Sequence, residues 1–252
     1  MKLRLASVSL FLAIMLTVCL PCFSVKSFDF FSLVLMWPGA YCQQTNGGCC
    51  LPTTGEPAAD FLIRDLITYS SNGDSITKCQ NINFDYNQIS SLSDDLEAYW
   101  ANIKCPSNNG KSSWRSKWKT YGVCSGLNQT SYFETGLRLL QKADISFNLV
   151  KNGIHPDYNL YRLADIKSAI TEGIGAEPLI RCSRGPFGKF QLFEVHICVD
   201  NGGSAAIDCP VKPKFSCSEE ILFHPYRGWM LNDTTKGIGT GSVMDLLPID
   251  VE

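Results

Sequence analysis

The segment that decides the fold lies near the middle of the 252-residue chain and runs Ser112-Ser113-Trp114-Arg115-Ser116-Lys117-Trp118-Lys119-Thr120-Tyr121-Gly122-Val123-Cys124. Trp114 and Trp118 are one helical turn apart, so a helix places both rings on one face. Because each residue advances about 100° around the axis, the adjoining sector holds a second set of side chains, namely Ser116, Lys117, Thr120 and Tyr121. Arg115 and Lys119 point away from that sector, and Gly122 predicts the end of the helix. Periodicity alone indicates an amphipathic core helix with a solvated basic flank.

Two further segments add a pattern that spacing alone does not carry. They read Phe31-Ser-Leu-Val-Leu-Met-Trp-Pro-Gly-Ala-Tyr-Cys42 and Cys49-Cys50-Leu-Pro-Thr-Thr-Gly-Glu-Pro-Ala-Ala-Asp-Phe61. With the central helix, they strongly resemble the secreted plant ribonuclease T2 family, close to its S-like members. The resemblance runs from about residue 28 to about residue 225. The resemblance is specific because three motifs occur in order and the spacing of the cysteines agrees with them.

The chemical positions of both active-site motifs of that family are replaced here. In Trp-x-His-Glu-Trp-x-Lys-His-Gly-x-Cys, the scaffold residues are kept as Trp114, Trp118, Gly122 and Cys124. The positions that match His, Glu, Lys and His hold Ser116, Lys117, Thr120 and Tyr121. The first motif, His-Gly-Leu-Trp-Pro, should follow Ala-Asp-Phe-x-Ile. After Ala59-Asp60-Phe61-Leu62-Ile63 this chain continues Arg64-Asp65-Leu66-Ile67-Thr68, and only Leu66 matches.

The resemblance implies RNA cleavage by transphosphorylation, in which one histidine acts as base and another as acid while Glu and Lys stabilise charge. Histidine suits these roles because its pKa lies near 6.5. Arg64 stays protonated, Ser116 has no useful acid or base strength, and Tyr121 is a poor base. We therefore expect no intact catalytic residue and activity at or near background. The alternative is a weak T2 endoribonuclease that cleaves RNA through 2′,3′-cyclic phosphates at a site rearranged around Tyr121 and Lys117.

Arg64 and Lys117 are candidates for anion binding, because they add positive charge where the family has His and Glu. They predict weak binding of RNA or nucleotides without cleavage. The competing interpretation is that both cations extend into water and bind nothing specific. Base preference cannot be carried over, since Met36 stands where the family usually has Gln and Ser113 where it often has Phe. The three histidines, His155, His196 and His224, are expected to be packing or surface residues.

The amino terminus has the layout of a secretory signal peptide, predicted at 1–25, with Lys2 and Arg4 before an apolar run. A membrane anchor is the competing interpretation of that run. Removal of the signal peptide takes the formal net charge of the chain from −2 to −4. A chain with this charge has no global attraction to nucleic acid. We expect one domain at 26–226 and a flexible extension at 227–252, whose acidic, apolar end resembles vacuolar targeting tails. The predicted location is therefore extracellular or vacuolar, with no membrane association after processing.

Ten of the twelve cysteines remain after that cleavage, an even number that predicts a disulfide framework in a secreted chain. The family resemblance implies the pairs Cys42–Cys49, Cys50–Cys105, Cys79–Cys124, Cys182–Cys217 and Cys198–Cys209. Neither a metal nor a cofactor is expected, because the mature part has no Cys-x-x-Cys pair and the histidines are scattered. Two glycosylation sequons begin at Asn128 and Asn232. The oligomeric state is left open.

Apolar patterns predict the remaining elements. Strands are predicted at 28–36, 58–68, 190–199, 205–209 and 218–223, with a turn at Trp37-Pro38-Gly39. Helices are predicted at 89–100, 132–143, 145–152 and 163–174. Helices in the middle and strands at both ends favour an α+β domain. The resemblance implies an antiparallel sheet packed by helices. It also implies an inactive storage, defence or interaction protein.

Overall fold

The structure is a computed structural model that describes residues 27–44, 48–212 and 215–232. The predicted signal peptide at 1–25 and residues 233–252 of the predicted extension lie outside the described residues. No helix within these three ranges is long and apolar enough to cross a membrane.

A sheet of seven strands forms the centre of the molecule. The described residues form nine strands, of which β2 and β9 make a separate two-stranded sheet. In chain order they are β1 (Phe30–Met36), β2 (Cys49–Cys50), β3 (Leu62–Tyr69), β4 (Leu160–Arg162), β5 (Leu179–Arg184), β6 (Phe190–Asp200), β7 (Ala206–Ile207), β8 (Glu220–Leu222) and β9 (Leu231–Asn232). The main path of the sheet is β3-β1-β6-β8-β4, and β5 and β7 also pair with β6. These pairings are antiparallel except for a short parallel contact between β6 and β8. The expected sheet packed by helices is confirmed.

Six α-helices surround this sheet within the described ranges. They are α1 (Pro38–Gln44), α2 (Ser93–Tyr99), α3 (Lys111–Thr120), α4 (Gln129–Ala143), α5 (Ile145–Lys151) and α6 (Leu163–Ile174). Short 3-10 helices occupy Tyr86–Leu92, Gly122–Cys124, Pro186–Gly188 and Gly228–Met230. The predicted helix at 89–100 is thus a 3-10 turn followed by α2. Helices α3 to α6 lie where their apolar period predicts them.

The main core lies between the inner face of the sheet and α4, which packs against β1 and β3. Trp118 lies 5.9 Å from the Tyr132 ring of α4, and Trp100 lies 5.2 Å from Phe133, both measured between ring centroids. The aromatic face of α3 therefore packs into the core, as its spacing predicts.

Helix α1 was not predicted, because Trp37-Pro38-Gly39 has the composition of a turn. Proline is well tolerated at the first position of a helix, where its missing N–H has no helical partner in any case. A side chain at Gly39 would clash with the Trp37 ring and with the carbonyl oxygens of His224 and Pro225. The glycine therefore allows a close approach to the chain ahead of the last strand.

The first residues of the predicted extension at 227–252 are described by the structure. Residues 228–230 form a 3-10 turn, and β9 pairs in parallel with β2. Met230 and Leu231 are buried. The folded part thus extends at least to Asn232, and the rest of the predicted flexible extension lies outside the described residues.

Five disulfides link the described chain. They join Cys42–Cys49, Cys50–Cys105, Cys79–Cys124, Cys182–Cys217 and Cys198–Cys209, which are the pairs that the resemblance implied. Of the two sequon asparagines, Asn128 is exposed and caps α4 by accepting a hydrogen bond from the Ser131 amide at 2.8 Å. Asn232 is exposed within β9.

Candidate functional site

A bulge in β3 places Arg64 at the outer face of the sheet, the face away from the main core. The register between β1 and β3 shifts there, so that Val34 lies opposite Asp65 and Leu35 lies opposite Ile63. Arg64 is left without a partner across the strand pair. A bulge of this kind re-aims a side chain, and here it directs Arg64 towards β6.

Glu194 of β6 is the centre of the charged cluster at this face. Its side chain is only 1% exposed. It accepts a hydrogen bond from Arg64 Nη1, lies 3.1 Å from Arg181 Nη1, and lies 3.0 Å from His196 Nε2. Burial alone would raise the pKa of Glu194, but the His196 hydrogen bond and the charges of Arg64, His196 and Arg181 outweigh it. The pKa of Glu194 falls from 4.5 to about 2, so the carboxylate is ionised at physiological pH.

Asp65 is the second buried carboxylate, one residue after Arg64. Its Oδ1 lies 2.6 Å from Lys117 Nζ of α3, and its Oδ2 lies 4.0 Å from Arg64 Nε. Burial raises the pKa of Asp65 more than these two cations lower it. Burial and the nearby Asp65 charge also raise the pKa of Tyr121. Near neutral pH, Tyr121 is therefore even less ionised than a free tyrosine and is less available as a base.

Both predicted anion-binding candidates are paired with carboxylates in the structure. Arg64 binds Glu194, and Lys117 binds Asp65. Neither carboxylate was identified from the sequence. The alternation along β6 was nevertheless a usable signal, because it places Glu194 and His196 on the same side, opposite the buried Val195 and Ile197.

Arg64 and Lys117 line one pocket of about 190 Å³, which we call the cleft pocket. Its other walls come from β1, α1, β3, the loop before α3 and α3 itself, and include Met36, Tyr41, Ile63, Trp100, Asn102, Lys104 and Ser113. Lys104 makes no ion pair with any residue of the described chain. Among the described residues, the cleft pocket thus has one cation without an ion pair.

Ser116 and Thr120 do not join Arg64 and Lys117 in that pocket. They line a wide groove of about 530 Å³ on the opposite flank of α3, together with Arg115, Lys119 and Lys78. The side chains that were expected to share one sector of α3 therefore line two different pockets. The reason is that residues 78–82 lie against the helix at this point, where the Lys78 amide donates to the Thr120 carbonyl at 2.8 Å.

The three histidines have different environments. His196 is linked to Arg64 through Glu194, which was not expected, yet it lines a different pocket from Lys117. His224 is buried, its Nδ1 lies 2.8 Å from the Pro225 carbonyl, and burial lowers its pKa. His155 is exposed and lies near Asp157. None of the three lies in the cleft pocket, and the described residues hold no group of His, Cys, Asp and Glu that fits a metal ion.

The fold and the site define a disulfide-rich α+β protein with a charged cleft between its sheet and α3. Residues 28–209 match the model of the Ribonuclease T2 family, so the chain belongs to that family. It is 41% identical over 231 residues to "Ribonuclease 1" of Arabidopsis thaliana, covering 88% of this chain and 99% of that protein. It is 30% identical over 182 residues to the "Ribonuclease-like storage protein" of Panax ginseng, covering 71% and 74%.

Solved structures agree with that assignment. The structure titled "Crystal structure of RNase NT in complex with 5'-AMP" has a TM-score of 0.77 and 36% identity, and the match covers 80% of this chain and 100% of that one.

Proposed function

We propose that this protein is a catalytically inactive member of the ribonuclease T2 family. The observation that carries the proposal is that two motif positions hold cations in ion pairs. Arg64 pairs with Glu194, and Lys117 pairs with Asp65. A guanidinium and an ammonium held by carboxylates cannot exchange protons near neutral pH. Each lost acid–base group removes a factor of about 10² to 10⁴ in rate.

The proposal extends to location and role. The predicted signal peptide supports the secretory pathway, and one relative in Panax ginseng is described as a storage protein. We infer a secreted or vacuolar protein that serves in storage, defence or interaction. Immunolocalisation of the native protein tests the location, and a cytosolic signal would overturn it.

Restoring the missing chemistry tests the inactive assignment. The first variant carries Arg64→His, Ser116→His, Lys117→Glu and Tyr121→His. The structure shows why it is incomplete, because Lys117→Glu brings a second carboxylate beside the buried Asp65. A second variant adds Asp65→Gly, the residue that the family motif has there. We expect undetectable hydrolysis of yeast RNA by the natural protein, weak hydrolysis by the first variant and clear hydrolysis by the second.

A matched control separates gained chemistry from contaminating nuclease. The second variant with Ser116→Ala in place of Ser116→His carries the same other changes and should return to background. Natural protein that hydrolyses yeast RNA between about pH 4 and about pH 8 at rates comparable with an active relative contradicts the proposal. In that case Tyr121→Phe tests the alternative, a weak endoribonuclease with a rearranged site, which requires that this variant lose activity.

A second candidate function is nucleotide binding in the cleft pocket without cleavage. It is favoured by Lys104, which lines the pocket with Arg64 and has no ion pair among the described residues, and by a structural neighbour that was solved with 5'-AMP. Calorimetry with 5'-AMP should show weak binding that Lys104→Gln reduces, whereas Lys189→Gln, at an exposed site outside the pocket, should leave it unchanged. Absence of heat at millimolar nucleotide would remove this candidate.

A further inference from the structure

A second pocket of about 290 Å³ lies on the same outer face of the sheet, on the far side of Glu194 from the cleft pocket. We call it the sheet-face pocket, and its floor is formed by side chains of β1, β5 and β6. It shares no lining residue with the cleft pocket. None of the motif positions contributes to it, so it is not accounted for by the function proposed above.

The body of the sheet-face pocket is apolar and aromatic. Phe30 and Tyr69 stack with ring centroids 5.4 Å apart and planes within 11° of each other. Leu179 and Cys198, which is in a disulfide, are buried beside them. Phe215 also lines the pocket, packs against this apolar cluster and contacts the His196 ring with centroids 5.1 Å apart. Aromatic surfaces of this kind suit a planar apolar ring.

One end of the pocket is cationic. Arg181 lines it with a side chain that is 46% exposed. Only one of its five N–H donors is needed for Glu194, since the ion pair is made by Nη1 at 3.1 Å. The guanidinium also lies 6.0 Å from the Phe215 ring and 5.6 Å from the Phe193 ring, which restricts its position. Arg181 is therefore a positioned cation that lines the apolar pocket and has unused hydrogen-bond donors.

The charge balance of the cluster favours a single negative charge on the ligand. With His196 neutral, Arg64, Arg181 and Lys117 face the two carboxylates Glu194 and Asp65, which leaves one positive charge uncompensated. Of the three cations, Arg181 alone lines the sheet-face pocket. A carboxylate can accept two parallel hydrogen bonds from a guanidinium, so a monoanion would complete the cluster.

We propose that the sheet-face pocket binds a small planar aromatic monocarboxylate. The ring packs against the Phe30–Tyr69 pair and Phe215, and the carboxylate binds Arg181. A nucleoside monophosphate fits this site less well, because its hydroxyl-rich ribose would face Phe30 and Leu179. Its phosphate, close to a dianion at neutral pH, also exceeds the single uncompensated charge.

Titration of the mature protein with 1-naphthoate, followed by calorimetry and by NMR, tests the proposal. We expect saturable binding at one site. Arg181→Gln should weaken it at least about tenfold, because a hydrogen-bonded charge pair is lost. Arg184→Gln removes the same charge from the same strand outside the pocket and should have no effect. The uncharged 1-naphthalenemethanol should bind about tenfold more weakly than 1-naphthoate, for the same reason.

Three outcomes would overturn the proposal. They are the absence of saturable binding, equal loss of affinity in Arg181→Gln and Arg184→Gln, and displacement of 1-naphthoate by 5'-UMP at equal concentration. The last would show a nucleotide site instead. A circular dichroism spectrum of Arg181→Gln that matches the natural protein at the titration temperature shows that its loss of affinity does not come from misfolding. Phe215→Ala, which should also weaken 1-naphthoate, tests the aromatic wall independently.

Discussion

Helix α3 has two faces that are stabilised by different interactions. Trp114 and Trp118 on one face are almost fully buried, and their rings pack against Tyr86 and against Tyr132 of α4, respectively. On the other face, Lys117 is partly exposed and is held by one ion pair. The buried face is stabilised by apolar area and close packing, and the cleft face by charge pairing. The comparison teaches that this scaffold tolerates a change of chemistry on one face as long as the other face is kept.

The largest expected effect is on the buried face. Trp118→Ala removes a fully packed ring and should lower the free energy of unfolding by about 3 to 5 kcal/mol. Urea unfolding followed by circular dichroism measures it. A loss below about 1 kcal/mol would show that the ring is not part of the core.

Phenylalanine substitutions refine that measurement on the same face. Trp114 Nε1 donates to the Trp100 carbonyl at 2.9 Å, whereas Trp118 Nε1 has no hydrogen-bond partner among the residues that the structure describes. Trp114→Phe should therefore destabilise more than Trp118→Phe, by about 1 kcal/mol. The reverse order would contradict the packing described above.

The next effect concerns Glu194, the best-paired charge of the cleft. Its pKa is lowered to about 2, so the stability that it contributes is present above its unfolded value of 4.5 and is lost as the pH falls towards 2. Glu194→Gln should cost about 2 to 3 kcal/mol at pH 7 and much less near pH 2. Urea unfolding at a series of pH values measures both. The control is Glu172→Gln, whose exposed pair with Lys151 is screened by solvent and should contribute much less.

The stability that Asp65 contributes should depend on pH in the opposite direction from that of Glu194. Because burial raises its pKa, the stability linked to its protonated form is present below its ordinary value of 3.8 and is lost as the pH rises through the raised value. Asp65→Asn should change the free energy of unfolding at pH 7 by less than about 1 kcal/mol. As the pH rises above about 4, the free energy of unfolding of the variant should increase relative to that of the natural protein. A loss as large as that of Glu194→Gln would show that the pair with Lys117 is strongly stabilising.

The smallest effect is expected at Ser116, which lines the wide groove beside α3. The residue is exposed, and its hydroxyl makes no hydrogen bond within the described ranges. Ser116→Ala should alter the free energy of unfolding by less than about 0.5 kcal/mol. Thermal unfolding detects a larger change, which would reveal a structural role for this position.

Much of this architecture was predictable because it rests on local patterns. The Trp114 and Trp118 spacing and Gly122 predict α3, and the apolar period predicts α4 and α6. Helix α1 and strand β5 were missed. The first begins with Pro38 and Gly39, which also suit a turn, and the second consists half of polar or charged residues, so it lacks a strong apolar signal.

The sequence by itself determined the family, the α+β class, the cysteine framework through family resemblance, and the absence of histidine from the motif positions. The tertiary structure alone decided how the charges of the cleft are paired. Arg64 and Glu194 are 130 residues apart, and they meet because a bulge in β3 turns one side chain towards a neighbouring strand of the sheet. Ion pairs depend on distances of a few ångströms between remote segments, and no local pattern of residues encodes such distances.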